Sequence, residues 1–246
     1  MKIDLNADIG EGFKNDKEII NYVSSVNIAC ARHAGTPISI HQSVKWAMAR
    51  GISLGAHPGY PDEKNFGRVE LNLSAEVLFA EIIFQISALQ GIVNAEKGKL
   101  THVKLHGALY NQAAHDLQIA DIIISAIKKV NPKLKLFALA GSPLVQKAKK
   151  EHLAIIEEGF ADRCYKDDGT LLARSECGAI IKDKKIALKQ SLTMIKEKKV
   201  ISQNGKIFPI KIDTICLHGD NPHALNLTKY LFTKLINEGI AIQTYK

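Results

Sequence analysis

The sequence predicts an α/β fold, a distorted (β/α) barrel of seven or eight mostly parallel strands. Short apolar runs rich in Ile, Val and Leu alternate with helix-like stretches along the 246 residues. Repeated strand-then-helix units imply parallel strands joined by helical crossovers. Seven or eight such units in a chain of about 250 residues are typical of a closed barrel rather than an open sheet. We therefore expect a single barrel domain over residues 1–246.

The apolar runs and the periodic stretches between them give the predicted elements. The candidate strands are residues 2–5, 26–30, 52–56, 101–105, 134–139, 153–156, 213–217 and 240–242. The candidate helices are residues 39–50, 74–91, 117–130, 143–150, 184–199 and 224–237. Ser74 is a suitable N-cap, Gly51 is a suitable C-cap, and Pro132 follows a helix end, as is usual.

Charge and composition exclude several classes of function. The chain has 33 Lys and Arg against 25 Asp and Glu, a net charge of +8, but its lysine tracts at 182–185 and 196–199 carry no interleaved aromatic residues. Such tracts are typical of solvated helix faces, so we expect no nucleic-acid partner. No signal-peptide pattern or membrane-length apolar run is evident, and the four cysteines form no CxxC pair. These features favour a cytoplasmic protein with no membrane partner.

The first strand carries polar residues at every second position. Asp4, Asn6 and Asp8 share one face, and Ile3, Leu5 and Ala7 share the other. On an edge strand the polar face would lie in water. A closed barrel has no edge, and buried polar groups there are costly unless they serve a site.

Four of the nine histidines follow an apolar run and lie close to a glycine: His33, His57, His106 and His218. The carboxyl end of a barrel strand, followed by a glycine-containing turn, is where barrel enzymes carry their chemistry. A single histidine of this kind is more often structural, but four at equivalent places indicate a site. We expect His102 to line the barrel below them. His41, His115, His152 and His223 are expected to be structural or exposed.

Lys104 lies inside an apolar strand, two residues before His106. A lysine that faces a barrel interior suits an anionic substrate group, or chemistry that uses a lowered pKa. The alternative is a side chain that extends outward to water. Asp162 and Arg163 follow a later strand, where an adjacent acid and guanidinium form either an ion pair or an anion clamp.

Several blocks of the chain resemble the LamB/YcsF family, the A subunit of prokaryotic 5-oxoprolinase. The blocks are residues 4–11, 27–30, 33–35, 55–62, 66–68, 104 with 106–111, 160–163 and 218–222. The resemblance runs from the first residues to the last strands. It implies a distorted barrel related to glycoside hydrolases and polysaccharide deacetylases.

The resemblance also implies an activity and partners. The activity is ATP-dependent opening of 5-oxo-L-proline to L-glutamate, with ATP as cofactor and the B and C subunits as obligatory partners. The sequence has no P-loop motif, which is compatible with nucleotide bound elsewhere or in another subunit.

On this hypothesis a carboxylate activates water while cations hold the anionic groups. The predicted catalytic residues are Asp8, Asp4, Asn6, His57 and His106, with Asp8 or Asp4 as the base and the histidines stabilising the oxyanion. The predicted substrate-binding residues are Glu11, His33, Lys104, Tyr110, Asp162, Arg163, His218 and Asp220. A divalent metal, if one binds, is expected at Asp8, His33 and His57.

The chain departs from the family pattern at three places. Arg32 adds a cation next to the expected site, Thr36 replaces a carboxylate, and Leu105 stands where proline is usual. Two alternative functions stay open at this point. One is a stand-alone metal-dependent deacetylase or amidohydrolase. The other is a non-catalytic subunit that binds a small molecule.

Overall fold

The computed structural model describes residues 1–217 and 224–245. Seven parallel strands form a closed barrel in the order β1-β2-β3-β4-β5-β6-β9, and β9 pairs back with β1. The strands are β1 (Lys2–Ile9), β2 (Ser25–Ala29), β3 (Ser53–His57), β4 (Leu100–Lys104), β5 (Lys135–Leu139), β6 (Ile155–Phe160) and β9 (Thr214–Leu217). This closed parallel barrel confirms the predicted fold class.

Three further strands lie outside the closed barrel. The last of them, β10 (Ala241–Ile242), pairs with the start of β1. The other two, β7 (Lys199–Ile201) and β8 (Ile207–Pro209), form an antiparallel hairpin that the sequence did not predict. Strands of three residues are too short to show an alternating pattern.

Helices connect successive strands on the outside of the barrel. They are α1 (Asp16–Ile19), α2 (Pro37–Arg50), α3 (Ala75–Ala95), α4 (Gly107–His115), α5 (Leu117–Val130), α6 (Pro143–Lys150), α7 (Lys184–Leu192) and α8 (Ala224–Asn237). All six predicted helices are present, although the one expected to reach residue 199 ends at Leu192 and continues as a π-helical turn, Thr193–Glu197. Helix α4 was not predicted; it begins at a glycine with a φ of 56° directly after His106.

The apolar core lies between the strands and the helices, because alternate strand residues point outward. On β1 these are Leu5, Ala7 and Ile9, all fully buried. Helix α3 is long and apolar enough to cross a membrane by length and composition alone, a test that core helices also pass. It packs against α5, α2 and strands β3 and β4. These contacts account for the buried apolar residues of α3, whereas Val77 and Phe84 on the same helix are exposed.

Gly55 of β3 gives the barrel interior room for a buried imidazole. A Cβ at this position would lie 2.1 Å from Nε2 of His102. That ring stacks on Phe137 with 4.1 Å between centroids, and its Nε2 lies 2.9 Å from Oδ1 of Asn27. His102 thus lines the barrel as expected, and its ring occupies the space that a side chain at position 55 would fill.

We predict that Gly55→Ala lowers the free energy of unfolding by about 2–3 kcal/mol, because the methyl group displaces a packed, hydrogen-bonded ring. Urea unfolding followed by circular dichroism measures the change. Gly91→Ala is the matched control, since a Cβ there meets no atom within 4 Å and the site is an exposed position of α3. The control should be stabilising by about 0.5–1 kcal/mol. Equal stability of Gly55→Ala and wild type would contradict the packing argument.

Candidate active site

A column of polar side chains from β1 runs up the inside of the barrel. Asp4 lies lowest, and its carboxylate accepts hydrogen bonds from the hydroxyls of Ser24 at 2.6 Å, Ser25 at 2.7 Å and Thr214 at 2.5 Å. Burial raises its pKa. The structure therefore places Asp4 at the amino ends of the strands, away from the residues that line the cavity described below. Of the two carboxylates predicted as the base, only Asp8 reaches that cavity.

Asn6 occupies the middle of the column. Its Nδ2 donates to Glu158 and Thr214, each at 2.8 Å, and its Oδ1 accepts from Asn27 at 2.8 Å and Lys104 at 3.2 Å. These bonds use the full hydrogen-bonding capacity of the amide. Asn6 thus orients its neighbours, and the structure does not bring it into contact with the cavity.

Asp8 and Lys104 meet at the top of the column. The Lys104 ammonium lies 3.0 Å from Oδ1 of Asp8, 3.1 Å from Oε1 of Glu158 and 2.9 Å from Sγ of Cys216. Burial alone would lower the pKa of Lys104, but Asp8, Cys216 and Glu158 outweigh it and hold that pKa well above its ordinary value. The lysine is therefore a buried, permanent cation. Both the lowered-pKa interpretation and the outward-pointing side chain are wrong.

Four side chains gather at the carboxyl ends of the strands: Glu11 after β1, His33 after β2, His57 at the end of β3 and His106 after β4. We call them the rim cluster. One candidate ligand atom of each lies within 4.8 Å of those of the others. The rings of His33 and His106 stack with 3.7 Å between centroids, and His57 Nε2 lies 3.4 Å from Asp8. Three of the four predicted histidines thus converge beside Asp8.

Backbone carbonyls fix the rings of His57 and His106. Nδ1 of His57 lies 2.8 Å from the carbonyl oxygen of Lys104, and Nε2 of His106 lies 2.8 Å from that of Phe66. A carbonyl oxygen only accepts, so each ring donates its N–H there, and its other nitrogen faces the cluster. Those two nitrogens are 3.0 Å apart.

Burial and charge set the protonation of the rim cluster. Burial lowers the pKa of His33 to about 4 and also lowers the pKa of His106. Burial would likewise lower the pKa of His57, but Asp8 and Glu11 outweigh it and raise that pKa. For Glu11, burial would raise the pKa, but His106 and His33 outweigh it and hold that pKa far below its ordinary value. The cluster therefore contains an ionised carboxylate.

A cavity of about 370 Å³ opens above the column and the rim cluster. Asp8, Glu11, His57, Lys104 and His106 line it. Other lining residues include Arg68, Glu70, Tyr110, Asn111, Phe160, Arg163 and Arg174. The cavity is therefore lined by carboxylates, imidazoles and guanidinium groups together.

Two of the three lining arginines had not been assigned to the site. Arg68 belongs to the quoted block 66–68, which was a signal for it, and its guanidinium lies 4.8 Å from the ring centre of Phe66. Arg174 lies in the long connection between β6 and α7, where nothing in the sequence pattern marks it. Glu158 was also missed, because β6 extends to Phe160 rather than ending at residue 156.

The remaining predicted site residues differ in whether they line the cavity. Arg163 is buried, its guanidinium donates to the carbonyl of Leu172, and burial lowers its pKa. Tyr110 lines the cavity, whereas Asp162 is buried beside Arg163 and does not line it. His218 and Asp220 fall outside the described residues.

Two departures from the family pattern have structural explanations. The Arg32 guanidinium binds Glu81 of α3 and lies 5.5 Å from the ring centre of Phe84. It does not line the cavity, so the expectation that it adds a cation to the site is wrong. Thr36 is the N-cap of α2, where its hydroxyl accepts from the Ser39 N–H.

A buried carboxylate supports the turn that carries Glu11. Oδ2 of Asp16 accepts the N–H of Gly10 at 2.7 Å, whereas its buried Oδ1 has no hydrogen-bond partner among the described residues. Burial raises the pKa of Asp16 to about 7, although the Gly10 N–H acts in the opposite direction. No sequence pattern marks this residue.

The raised pKa of Asp16 has a consequence for stability. A carboxyl that titrates near 4 in the unfolded chain and near 7 in the fold stabilises the protein below both values, and this contribution is lost as pH rises through 7. We predict that Asp16→Asn, which cannot ionise, becomes more stable relative to wild type as the pH is raised from 5 to 8. The difference in free energy of unfolding should grow by roughly 1–3 kcal/mol, seen as a higher melting temperature of the variant. Differential scanning calorimetry at both pH values measures this. A difference that does not change with pH would show that Asp16 titrates normally.

The chain is similar to a protein family and to several known structures. The sequence model of the LamB/YcsF family matches residues 3–246. A crystal structure of a lactam utilization protein from Thermus thermophilus superposes with a TM-score of 0.93 at 38% identity and covers 100% of both chains.

More distant structures share the fold alone. A family 4 carbohydrate esterase from Streptomyces lividans has a TM-score of 0.53 at 10% identity, over 100% of this chain and 93% of that one. The peptidoglycan deacetylase PdaC from Bacillus subtilis has a TM-score of 0.50 at 13% identity, over 99% and 87%. Because the family match covers nearly the whole sequence, the chain belongs to the LamB/YcsF family.

Proposed function

We propose that this protein hydrolyses a cyclic amide, 5-oxo-L-proline, to L-glutamate in an ATP-dependent reaction, as the A subunit of an enzyme with B and C subunits. The observation that carries the proposal is the cavity, which is lined by carboxylates, imidazoles and guanidinium groups around a small space. The likeness to a lactam utilization protein at 38% identity over both full lengths supports a lactam as the substrate.

The size and charge of the cavity suit this substrate. About 370 Å³ lies near the small end of the range for ligand sites, as a single five-membered ring with one carboxylate requires. Arg163, Arg68 and Arg174 offer planar donor groups for that carboxylate or for a phosphoryl group. Lys104 is already held by Asp8 and Glu158, so its charge orients the carboxylates rather than the substrate.

An unstrained amide is a poor electrophile, and ATP supplies the phosphoryl group that activates it. ATP phosphorylates the amide oxygen and leaves as ADP, which makes the ring carbon more reactive. Water then adds to that carbon, and the carbon–nitrogen bond breaks as the nitrogen takes up a proton and becomes the free amine. The acyl phosphate that remains is hydrolysed by a second water to L-glutamate and phosphate. The proton of the attacking water passes to a carboxylate. We assign this role to Asp8, because Asn27 and Lys104 hold its Oδ1 at 2.8 and 3.0 Å while the residue lines the cavity.

The geometry changes one part of the sequence-based hypothesis. His106 donates its N–H to a backbone carbonyl, and burial lowers its pKa, so as a neutral ring it offers no donor to an oxyanion. Stabilisation of developing negative charge falls instead to the lining arginines. We therefore assign proton acceptance to Asp8 and the binding of negative charge to the lining arginines.

A metal-dependent amidohydrolase that acts alone is the second candidate function. The rim cluster favours it, because imidazole and carboxylate are common ligands of divalent metals in hydrolases. This candidate requires neither ATP nor other subunits. The assay below separates the two.

We predict that glutamate release from 5-oxo-L-proline requires ATP together with the B and C subunits. Asp8→Asn in the assembled enzyme should lower turnover by roughly 10²–10⁴-fold, because it removes the general base. Release of glutamate is measured with this chain alone, and then with its partners. Asp121→Asn is the control, since that exposed carboxylate pairs with Lys147 on the surface.

Each alternative gives its own result. Full turnover by Asp8→Asn would remove Asp8 as the base. Amide hydrolysis by the chain alone without ATP would favour the amidohydrolase. Binding of 5-oxo-L-proline with no turnover in the complete enzyme would make the chain a binding subunit. Circular dichroism of each variant verifies that it is folded.

A further inference from the structure

The rim cluster brings together more hydrogen-bond acceptors than the described residues around it can satisfy. Nε2 of His57 and Nδ1 of His106 face each other at 3.0 Å. Oε1 of Glu11 lies 3.2 Å from the His106 nitrogen and 3.8 Å from the His57 nitrogen. When both rings are neutral, the two nitrogens present lone pairs and the carboxylate presents another. Three acceptors in mutual contact repel one another unless a positive charge lies between them.

The carbonyl contacts of the two rings are typical of metal ligands. A histidine that binds a metal usually donates its other N–H to a carbonyl or a carboxylate, which fixes both the tautomer and the orientation of the ring. The Lys104 and Phe66 carbonyls do this for His57 and His106. Each ring is therefore fixed before any ligand binds.

The distances fit a small divalent ion. Ligands about 2.0–2.1 Å from a tetrahedral Zn²⁺ lie about 3.3–3.4 Å from one another. The three separations among Glu11, His57 and His106 are 3.0, 3.2 and 3.8 Å, and they bracket this value. All three side chains also line the cavity, so a fourth position would face the cavity. Three protein ligands and an open position are the usual arrangement of a catalytic zinc site.

His33 has a different place in the cluster. Its Nε2 lies 3.2 Å from Oε1 of Glu11, and its Nδ1 is buried without a hydrogen-bond partner among the described residues. Because an N–H at Nδ1 would find no acceptor, the proton belongs on Nε2, from which it is donated to Glu11. His33 is also absent from the cavity wall. It is therefore a positioning residue that orients the carboxylate.

The local charge also favours a divalent cation. Asp8, Glu11 and Glu158 contribute three carboxylates, and Lys104 contributes one ammonium. These groups are at most 7% exposed, so water compensates little of the net negative charge. A divalent ion at the rim would make the group neutral.

We propose that Glu11, His57 and His106 bind one divalent transition-metal ion of the Zn²⁺ class, oriented by His33 and open to the cavity. This set differs from the one expected from the sequence, which combined Asp8 with His33 and His57. The site is independent of the proposed lactam substrate. The competing occupant is a single proton shared between His57 and His106.

The test measures metal binding directly. The chain is stripped with a chelator and titrated with Zn²⁺ by calorimetry, and with Co²⁺ by visible absorption, which reports the coordination geometry. We expect one equivalent per chain and a rise in melting temperature on binding. Glu11→Gln, which preserves shape, and His106→Ala should each weaken binding by at least roughly 100-fold, and His33→Gln by roughly 10–100-fold.

His115→Ala is the matched control, since this exposed histidine lies at the end of α4, the helix that begins next to His106. It should bind metal like wild type. A stripped chain that takes up no Zn²⁺ or Co²⁺ would overturn the proposal in favour of the shared proton. A Glu11→Gln variant that binds as tightly as wild type would overturn it by placing the metal elsewhere. Glutamate release is not part of this readout, so failure of the metal site and failure of the proposed function are separate results.

Discussion

The polar interior of this barrel depends on one buried cation, the ammonium of Lys104. It contacts Asp8, Glu158 and Asn6, which project from two strands of the barrel. Two carboxylates this deeply buried would each carry a desolvation penalty of several kcal/mol, and they would also repel each other. The ammonium compensates both effects. The lysine therefore allows β1 and β6 to hold carboxylates inside the barrel, where they are shielded from water.

This arrangement also determines how the polar groups of the column are held. Oδ1 of Asp8 is held by Asn27 and Lys104. Below it, the amide of Asn6 makes its full set of hydrogen bonds, and the carboxylate of Asp4 accepts from three hydroxyls. Chemistry is confined to the carboxyl ends of the strands because only there, among the described residues, do polar groups of the column meet the cavity.

The sequence predicted the parts of the site that follow strand periodicity. Alternation along β1 placed Asp8 inside, and the ends of β2 to β4 placed His33, His57 and His106 at one rim. Periodicity contains no information about distant partners. Arg174 reaches the cavity from a long connection, and Arg32 is drawn away from it by Glu81 of α3. Both outcomes depend on tertiary contacts between residues far apart in the chain, which a single sequence does not show.

The tautomer of His106 illustrates how backbone conformation completes the site. Phe66 and Gly67 both adopt left-handed conformations, with φ values of 56° and 62°. For phenylalanine this conformation costs of order 1–3 kcal/mol and persists only where the surroundings require it. Here it directs the Phe66 carbonyl at Nε2 of His106, 2.8 Å away. At Gly67 a Cβ would lie 2.8 Å from His33, so glycine is required for the loop to approach. The strain is therefore located where it fixes which nitrogen of His106 faces Glu11 and His57.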